Sequence, residues 1–394
     1  MNETIRFMFF LIGAVLRNND VPSMPGNIDW NLILTISKKH NIASVIAYGI
    51  RQGGYEIPPE IQGKFKQYLY THLIITENQT QEIEKILGLF EKHNIDYMPL
   101  KGTEIRKIYP SPDMRRMADA DILIKTKDFS VFDSIMKENG YTFICESNHE
   151  YVYQKPPFLQ IELHKMLIPS YNDDMYVYYQ DGWSIAKRDG NTCRHTLSTE
   201  DHYVYLMTHL AKHYRDGGIG IKSVMDIWLY EKTYPMDMGY INQQLTQLKL
   251  TIFAQYISTL MKTWFEGESS SELISTMTKF IICGGEYGSL ENKTQAVAIR
   301  NTEDENFKKT EKYRYLRMIF PKYQDVEGGY SYLKKMPFLL PFCWVHRWCK
   351  GLFYCQNIKK VKRRADSITA DGLQAYYSHM QKVGLDIYNG RKDL

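Results

Sequence analysis

No Cys-x-x-Cys pair occurs among the six cysteines of this 394-residue chain, Cys145, Cys193, Cys283, Cys343, Cys349 and Cys355. Disulfide frameworks belong to small secreted domains, so free thiols in a reducing compartment are expected, and with them a cytoplasmic location. Long hydrophobic runs are missing too. The apolar run 7–16 follows Arg6 and gives way to Arg17-Asn-Asn-Asp20 without a small-x-small cleavage site. A spanning helix needs about 20 apolar residues. This run therefore reads as a buried helix rather than a secretory leader. Charge of one sign is not in excess: 49 Lys and Arg against 45 Asp and Glu leave +4, which does not call for a nucleic-acid partner. Internal repeats and low-complexity tracts are absent. Thirty tyrosines argue against disorder.

What is present is concentrated in the middle of the chain. Met117-Ala-Asp-Ala-Asp-Ile-Leu-Ile124 alternates in strand fashion. Asp119, Asp121 and Leu123 share one face, while Ala120, Ile122 and Ile124 share the other. Like charges on one strand face repel, and a divalent cation is the usual reason a fold keeps them together. Upstream, residues 95–100 read as a strand, followed by Lys101-Gly102-Thr103 and a short helix over 104–109. Strand, tight turn and helix aim backbone N–H groups at an anion; Lys101 adds a cation and Thr103 a cap or a phosphate donor. Downstream, residues 158–164 alternate again, with Gln160, Glu162 and His164 on one face. Glu162 is thereby a third carboxylate, on a strand able to lie beside the Asp119 strand.

These residues resemble a known family. Leu100-Lys-Gly102, Tyr109-Pro110, Arg115, Asp119-x-Asp121 and Glu162-x-His164 are similar to the bacterial "uncharacterised nucleotidyltransferase" family, a branch of the DNA polymerase beta-like superfamily. The motif-bearing part covers roughly residues 95–166, with weaker similarity to about residue 232. The resemblance implies a metal-dependent transfer of a nucleoside monophosphate from an NTP donor to a hydroxyl acceptor, with release of pyrophosphate and with Mg²⁺ or Mn²⁺ as cofactor. Asp119 and Asp121 would be the metal-binding pair, with Glu162 as the third carboxylate. Lys101, Gly102 and Thr103 would form the triphosphate turn, and Arg115 would contact phosphate or substrate. The chain departs from the family pattern at Ala120, where a bulkier aliphatic is usual, and at Glu162, commonly Asp. The alternative is a nucleotide-binding or scaffold protein that kept the fold and lost the chemistry.

The chain is expected to divide into an N-terminal helical region (1–94), an α/β core (95–181) and a mainly helical remainder (182–394), an α+β architecture. Residues 29–49 and 60–91 carry apolar positions at helical spacing, separated by Gly53-Gly54 and Pro58-Pro59, and Asp29 suits an N-cap. Strands are expected over 141–145 and 150–154, with a helix over 128–139 ended by Gly140. Thr302-Glu-Asp-Glu305 has the form of a capping box for a helix reaching Ile319.

Three further features fall outside the core. His202, His209 and His213 share one helix face; the last two have the spacing of metal ligands but lack the zincin glutamate, so packing or lining the cleft opposite the aspartates is expected in place of a metal site, and His164 on its strand is a further cleft candidate. Gly217-Gly-Ile-Gly220-Ile-Lys222-Ser223 imitates a phosphate loop, yet Ile221 separates Gly220 from Lys222 and a helix precedes it. A helix–helix turn with Lys222 and Asp226 paired four apart is expected, a substrate contact by either being the alternative. Finally, the apolar, aromatic stretch 336–354 precedes Lys359-Lys-Val-Lys-Arg-Arg364. Pro337 and Pro341 exclude a spanning helix. A packed terminal helix is one reading and peripheral contact of residues 336–364 with an anionic membrane the other.

Overall fold

The computed structural model describes residues 1–125, 129–157, 159–302, 306–323, 326, 330–352 and 362–387. The chain forms two compact units: residues 1–212 with 219–287, and residues 213–218 with 288–394.

The first unit begins with four helices. Helix α1 (Glu3–Leu16) contains the run 7–16, buried along almost its whole length. Its Phe9 stacks on Trp264 with ring centroids 4.1 Å apart. Asp29 caps α2 (Trp30–Lys39), accepting a hydrogen bond from the Leu32 N–H at 3.0 Å. The helical spacing across 29–49 is divided into two helices, because Asn41 takes a left-handed conformation (φ 55°) before α3 (Ala43–Gly53). Helix α4 (Pro59–Lys92) starts with proline at its first position, where no N–H is needed. It buries Ile61, Phe65, Leu69, His72, Thr76, Gln79, Ile83, Ile86 and Phe90, a single stripe at spacings of three and four.

After α4 come β1 (Asp96–Pro99), α5 (Gly102–Ile105), β2 (Asp119–Lys125), α6 (Phe129–Glu138), β3 (Thr142–Glu146), β4 (Glu150–Lys155) and β5 (Leu159–His164). The strands form one mixed sheet ordered β1-β2-β5-β4-β3. Only the β2–β5 pair is parallel; the others are antiparallel. A parallel neighbour needs a crossover, supplied here by α6 and the β3–β4 hairpin. One sheet face is apolar. Ala120, Ile122 and Ile124 of β2 and Leu159, Ile161 and Leu163 of β5 pack with Ile83, Ile86 and Phe90 of α4 and Phe132, Ile135 and Met136 of α6. Each large side chain so buried contributes about 1.5–3 kcal/mol. The predicted split of β2 into an apolar and an acidic face holds, and it frees the other face of the sheet for chemistry. The fold is α+β, as expected.

The unit continues through α7 (Asp173–Tyr179), a two-stranded ribbon of β6 (Lys187–Arg188) and β7 (His195–Thr196), and α8 (Thr199–Arg215). Then α9 (Ile221–Thr233), α10 (Met238–Gln247), α11 (Thr251–Phe265) and α12 (Glu272–Gly284) follow.

In the second unit α13 (Leu290–Arg300) packs against the helix Ala370–Lys382. Tyr376 of that helix donates to the Arg215 carbonyl at 3.1 Å, and Tyr214 hydrogen-bonds His379 at 2.8 Å. The expected capping box falls partly on residues 303–305, outside the described residues. Asn306 caps the helix Phe307–Lys312, and a second helix, Arg314–Ile319, replaces the single one expected. The helix Leu340–Leu352 leaves Phe338, Phe342 and Val345 beside or on it more than half exposed. Residues 353–361, with Lys359 and Lys360 of the basic cluster, also lie outside the described residues.

Candidate active site

The polar face of the sheet is assembled by register. Parallel pairing sets Asp119 opposite Gln160, Asp121 opposite Glu162 and Leu123 opposite His164. Antiparallel pairing sets Glu150 of β4 opposite His164. Side chains of directly paired residues stand on the same face, so Asp119, Asp121, Glu162, His164 and Glu150 converge on one surface.

Asp121 is the centre of this surface. Its Oδ1 accepts from Lys101 Nζ at 2.6 Å and from His164 Nε2 at 2.7 Å. Burial pushes the Asp121 carboxyl up, but the Lys101 ammonium and the His164 hydrogen bond outweigh it and hold the group well below the usual carboxylate range. Burial likewise acts to lower Lys101, and the Asp121 charge overrides it, so the ammonium stays charged. Burial, then the Lys101 charge, lowers His164 against the pull of Asp121, which leaves the ring neutral. Glu162 accepts from Gln160 at 2.9 Å and sits 3.8 Å from His164 Nε2. Burial, then the charges of Asp121 and Glu150, raise it.

Asp119 titrates differently from its neighbour. Burial, then the charges of Asp121 and Glu162, raise its carboxyl to about 7, against the opposing pull of Lys101 and Lys222. Two carboxylates on one strand thus divide into one firmly ionised and one proton-retaining group.

The turn before the site is tight for identifiable reasons. Lys101 adopts φ 43°, ψ −116°, a conformation that glycine normally takes and that costs a side-chain residue on the order of 1–3 kcal/mol. A Cβ on Gly102 would stand 2.5 Å from Arg115 Nη1 and 2.8 Å from Met117 Sδ, so any side chain there would have to displace the ends of both. Helix α5 is a single turn that passes into a 3₁₀ segment, Arg106–Ile108. The helix expected over 104–109 is therefore shorter and tighter. The Thr103 hydroxyl is buried with no hydrogen-bond partner.

Arg115 is anchored from the opposite side. Its Nε and Nη2 donate to the two carboxylate oxygens of Asp226 at 2.8 and 2.7 Å, and the Tyr109 hydroxyl donates to the same carboxylate at 2.7 Å. Asp226 is on α9, which follows the Gly-rich segment. That segment is the helix–helix turn predicted for it, but the predicted Lys222–Asp226 pair does not form. Lys222 instead bonds Glu286 and the Arg116 carbonyl, because Asp226 points to Arg115.

Of the other expected residues, His209 lies beside the Tyr205 ring, with centroids 6.2 Å apart, and His213 belongs to the second unit. Among the described residues the one group of His, Cys, Asp and Glu able to hold a metal ion is Asp121, Glu162 and His164, whose donor atoms lie within 4.8 Å of one another. Asp119, expected to join that group, contributes no donor within it. Glu150 and Tyr205 were missed by sequence reasoning. The alternation of residues 150–154 marks a strand, but only pairing across β4 and β5 brings Glu150 to His164. Tyr205 is one of many helical tyrosines; its hydroxyl is buried, has no hydrogen-bond partner, and is close enough to feel the charges of Lys101 and Asp121.

Comparison with known proteins gives one finding. Residues 26–266 match a family described as "Uncharacterised nucleotidyltransferase". No curated protein and no solved structure matches. Among the described residues no helix is long and apolar enough to cross a membrane.

Proposed function

Because the chain belongs to the uncharacterised nucleotidyltransferase family, we propose that it moves a nucleoside monophosphate from an NTP to a hydroxyl acceptor and releases pyrophosphate. The observation that carries this reading is the acidic sheet face: Asp119 and Asp121 on one strand, with Glu162 directly opposite Asp121. The donor chemistry fits a divalent cation such as Mg²⁺ or Mn²⁺, which Asp121 and Glu162 would hold with Asp119 or His164 completing the set. When bound, such an ion polarises a phosphoryl oxygen and neutralises developing charge.

The chain's own residues supply the rest. Lys101, charged at every physiological pH, faces the phosphates from the turn before β2 and offsets the charge of the leaving group. Thr103, with its unpartnered hydroxyl, donates to a phosphate oxygen. Where His164 completes the set, Asp119 accepts the proton of the acceptor hydroxyl, its affinity for protons raised by burial and by the neighbouring carboxylates. Arg115, held by both ends to Asp226, shapes the turn from below Gly102 rather than reaching a phosphate.

The test is binding of ATP, GTP, CTP and UTP by calorimetry with and without divalent cation, in wild type and in Asp121→Asn, followed by an acceptor screen with the nucleotide that binds. Cation-dependent binding lost in Asp121→Asn supports the reading; turnover unaffected by that substitution sinks it. The Lys101–Asp121 contact favours a second reading, a nucleotide-binding protein without turnover, because the lysine already neutralises the central carboxylate. Nucleotide binding with no product across a broad acceptor panel would favour that one.

Peripheral membrane contact through residues 336–364 is also proposed, supported by the exposure of Phe338 and Phe342 and by Arg363 and Arg364 on the surface nearby in sequence. Co-sedimentation with anionic vesicles should fall in a Phe338→Ser/Phe342→Ser variant; equal sedimentation refutes the contact.

A further inference from the structure

Beyond the end of the family match at residue 266, the chain returns to the acidic face. Helix α12 ends at Gly284, and Gly285, at φ 79°, turns the backbone into Glu286 and Tyr287. The Glu286 N–H donates to the Lys39 carbonyl at 3.1 Å. Its carboxylate accepts from Lys222 and from the Asn41 amide. Lys222 also donates to the Arg116 carbonyl at 3.1 Å, and Arg116 Nη1 donates to Asn41 Oδ1 at 3.1 Å. Arg116, Lys222, Glu286 and Asn41 thereby close a ring of hydrogen bonds that ties this segment to the chain just before Asp119. Gly220 belongs to the same seat, since a Cβ there would stand 2.8 Å from the Glu286 Cα. The glycine-rich segment that imitates a phosphate loop thus admits the turn at 285–287, and its Lys222 tethers it.

What this ring of bonds presents is an aromatic side chain. Tyr287 is 54 % exposed. Among the described residues it packs on no other aromatic ring and its hydroxyl makes no hydrogen bond. Desolvation where it enters the protein, then the charges of Glu286 and Asp119, raise its phenol; Arg116 opposes them and Asp121 adds to them. The ring therefore stands within electrostatic reach of both aspartates. Arg116 is half-buried and forms no ion pair among the described residues, whereas Lys101 and Lys222 each meet a carboxylate. An exposed aromatic side chain by itself is ordinary. One fixed by a hydrogen-bonded ring, beside an uncompensated guanidinium and an acidic face, suits a planar ligand, because ring and guanidinium both stack on π faces.

We infer that Tyr287 and Arg116 form the platform for the nucleobase of the donor. The inference rests on the nucleotidyl-transfer reading for the position of the phosphates. Gly102 of the phosphate turn closely approaches Arg115 and Met117, the two neighbours of Arg116. A nucleotide with its phosphates on Lys101 and Thr103 has this corner beside it, which assigns the corner to the donor's base rather than to the acceptor. Stacking reads the face of a base and not its edge, so all four bases are accepted. ATP and GTP bind more tightly than CTP and UTP, because a purine covers more of the ring.

The probes are the four NTPs and inorganic tripolyphosphate, which carries the phosphates without a base, titrated by calorimetry into the full chain with Mg²⁺. Wild type binds ATP about tenfold or more tightly than tripolyphosphate. Tyr287→Ala weakens ATP by about tenfold and leaves tripolyphosphate unchanged. Tyr287→Phe keeps the ATP affinity, since stacking needs the ring and not the hydroxyl. Gly220→Ala, which shifts the seat and keeps the ring, weakens ATP in the same sense. Equal affinity of wild type for ATP and tripolyphosphate overturns the inference, as does ATP binding untouched by Tyr287→Ala. A Tyr287→Ala protein with normal ATP binding and a raised KM for an acceptor also overturns it and gives the ring to the acceptor. NTP binding that depends on Tyr287, with no product from any acceptor, keeps the platform and removes the nucleotidyl-transfer reading. Product formed by Tyr287→Ala at the wild-type KM for NTP does the reverse.

Discussion

Arg115 and Asp226, 111 positions apart in sequence, meet in a two-pronged ion pair beneath the turn at Gly102. Both partners are buried, and the Asp226 charge holds the guanidinium above its already high range against the effect of burial. A pair of this kind matters most when half of it is removed. Asp226→Ala leaves a buried guanidinium and the Tyr109 hydroxyl without their acceptor, and should destabilise the protein by about 3–5 kcal/mol. Asp226→Asn, which keeps one acceptor oxygen, should cost less. Urea denaturation of the two variants measures the difference; equal losses would show that the pair contributes shape rather than charge.

Gly102→Ala tests the close approach on the other side of the same arginine. The added methyl collides with Arg115 Nη1 and Met117 Sδ. Overpacking of this kind costs about 1–3 kcal/mol. The thermal midpoint should drop, and cation-dependent NTP binding should weaken by more than the stability loss accounts for, since the turn itself moves. A variant of lower midpoint with unchanged nucleotide affinity would separate the turn from the nucleotide.

Asp119→Asn carries a pH signature. In the folded chain Asp119 keeps its proton up to about 7, whereas an unfolded aspartate loses it near 3.9. The folded state therefore binds more protons than the unfolded one between these values, and this contribution to stability is lost as pH rises toward and through 7. Asp121 adds no slope in that window, because it is ionised there in both states. Without added divalent cation, Asp119→Asn should gain thermal stability relative to wild type as pH rises from about 5 to about 8. A difference that does not change with pH would show that the carboxyl titrates normally.

The helical flank carries an opposite pH signature at His40. Its Nδ1 accepts from the Ile221 N–H at 3.2 Å and its Nε2 donates to the Ile282 carbonyl at 3.1 Å, so the neutral ring is fully satisfied. Burial lowers its pKa to about 4. Stability from His40 is complete above the unfolded value of about 6.5 and is lost as pH falls toward 4, by on the order of 3 kcal/mol. His40→Asn should lower the midpoint at pH 7 and flatten the fall between pH 7 and about 4. An unchanged slope assigns the acid sensitivity to other groups, His72 first, whose pKa burial also lowers to about 4.

Much of this is local and therefore legible in the chain. Period-two alternation in residues 119–124 and 159–164 dictates one apolar and one polar face, because successive side chains of a strand point oppositely. Pro58-Pro59 and the spacing from Ile61 to Phe90 dictate a long one-sided helix, and Asp29 its neighbour's cap. A lysine–glycine turn before an Asp-x-Asp strand already marked the stretch of chain that carries charge onto one sheet face.

Pairing across the sheet could not be read that way. Register decides that Glu162 faces Asp121, that His164 comes two places along the same face, and that Glu150 stands behind it; no local pattern fixes register between separate strands. The same holds for Asp226, for which Lys222 on the preceding turn of its own helix was the obvious partner by spacing. Desolvation decides instead: a buried guanidinium must find a carboxylate, and only the packing of α9 against the turn brings one. The sequence by itself determined which residues carry charge toward the site. The tertiary structure decided which of them meet, since contact between distant residues is set by packing and burial rather than by their place in the chain.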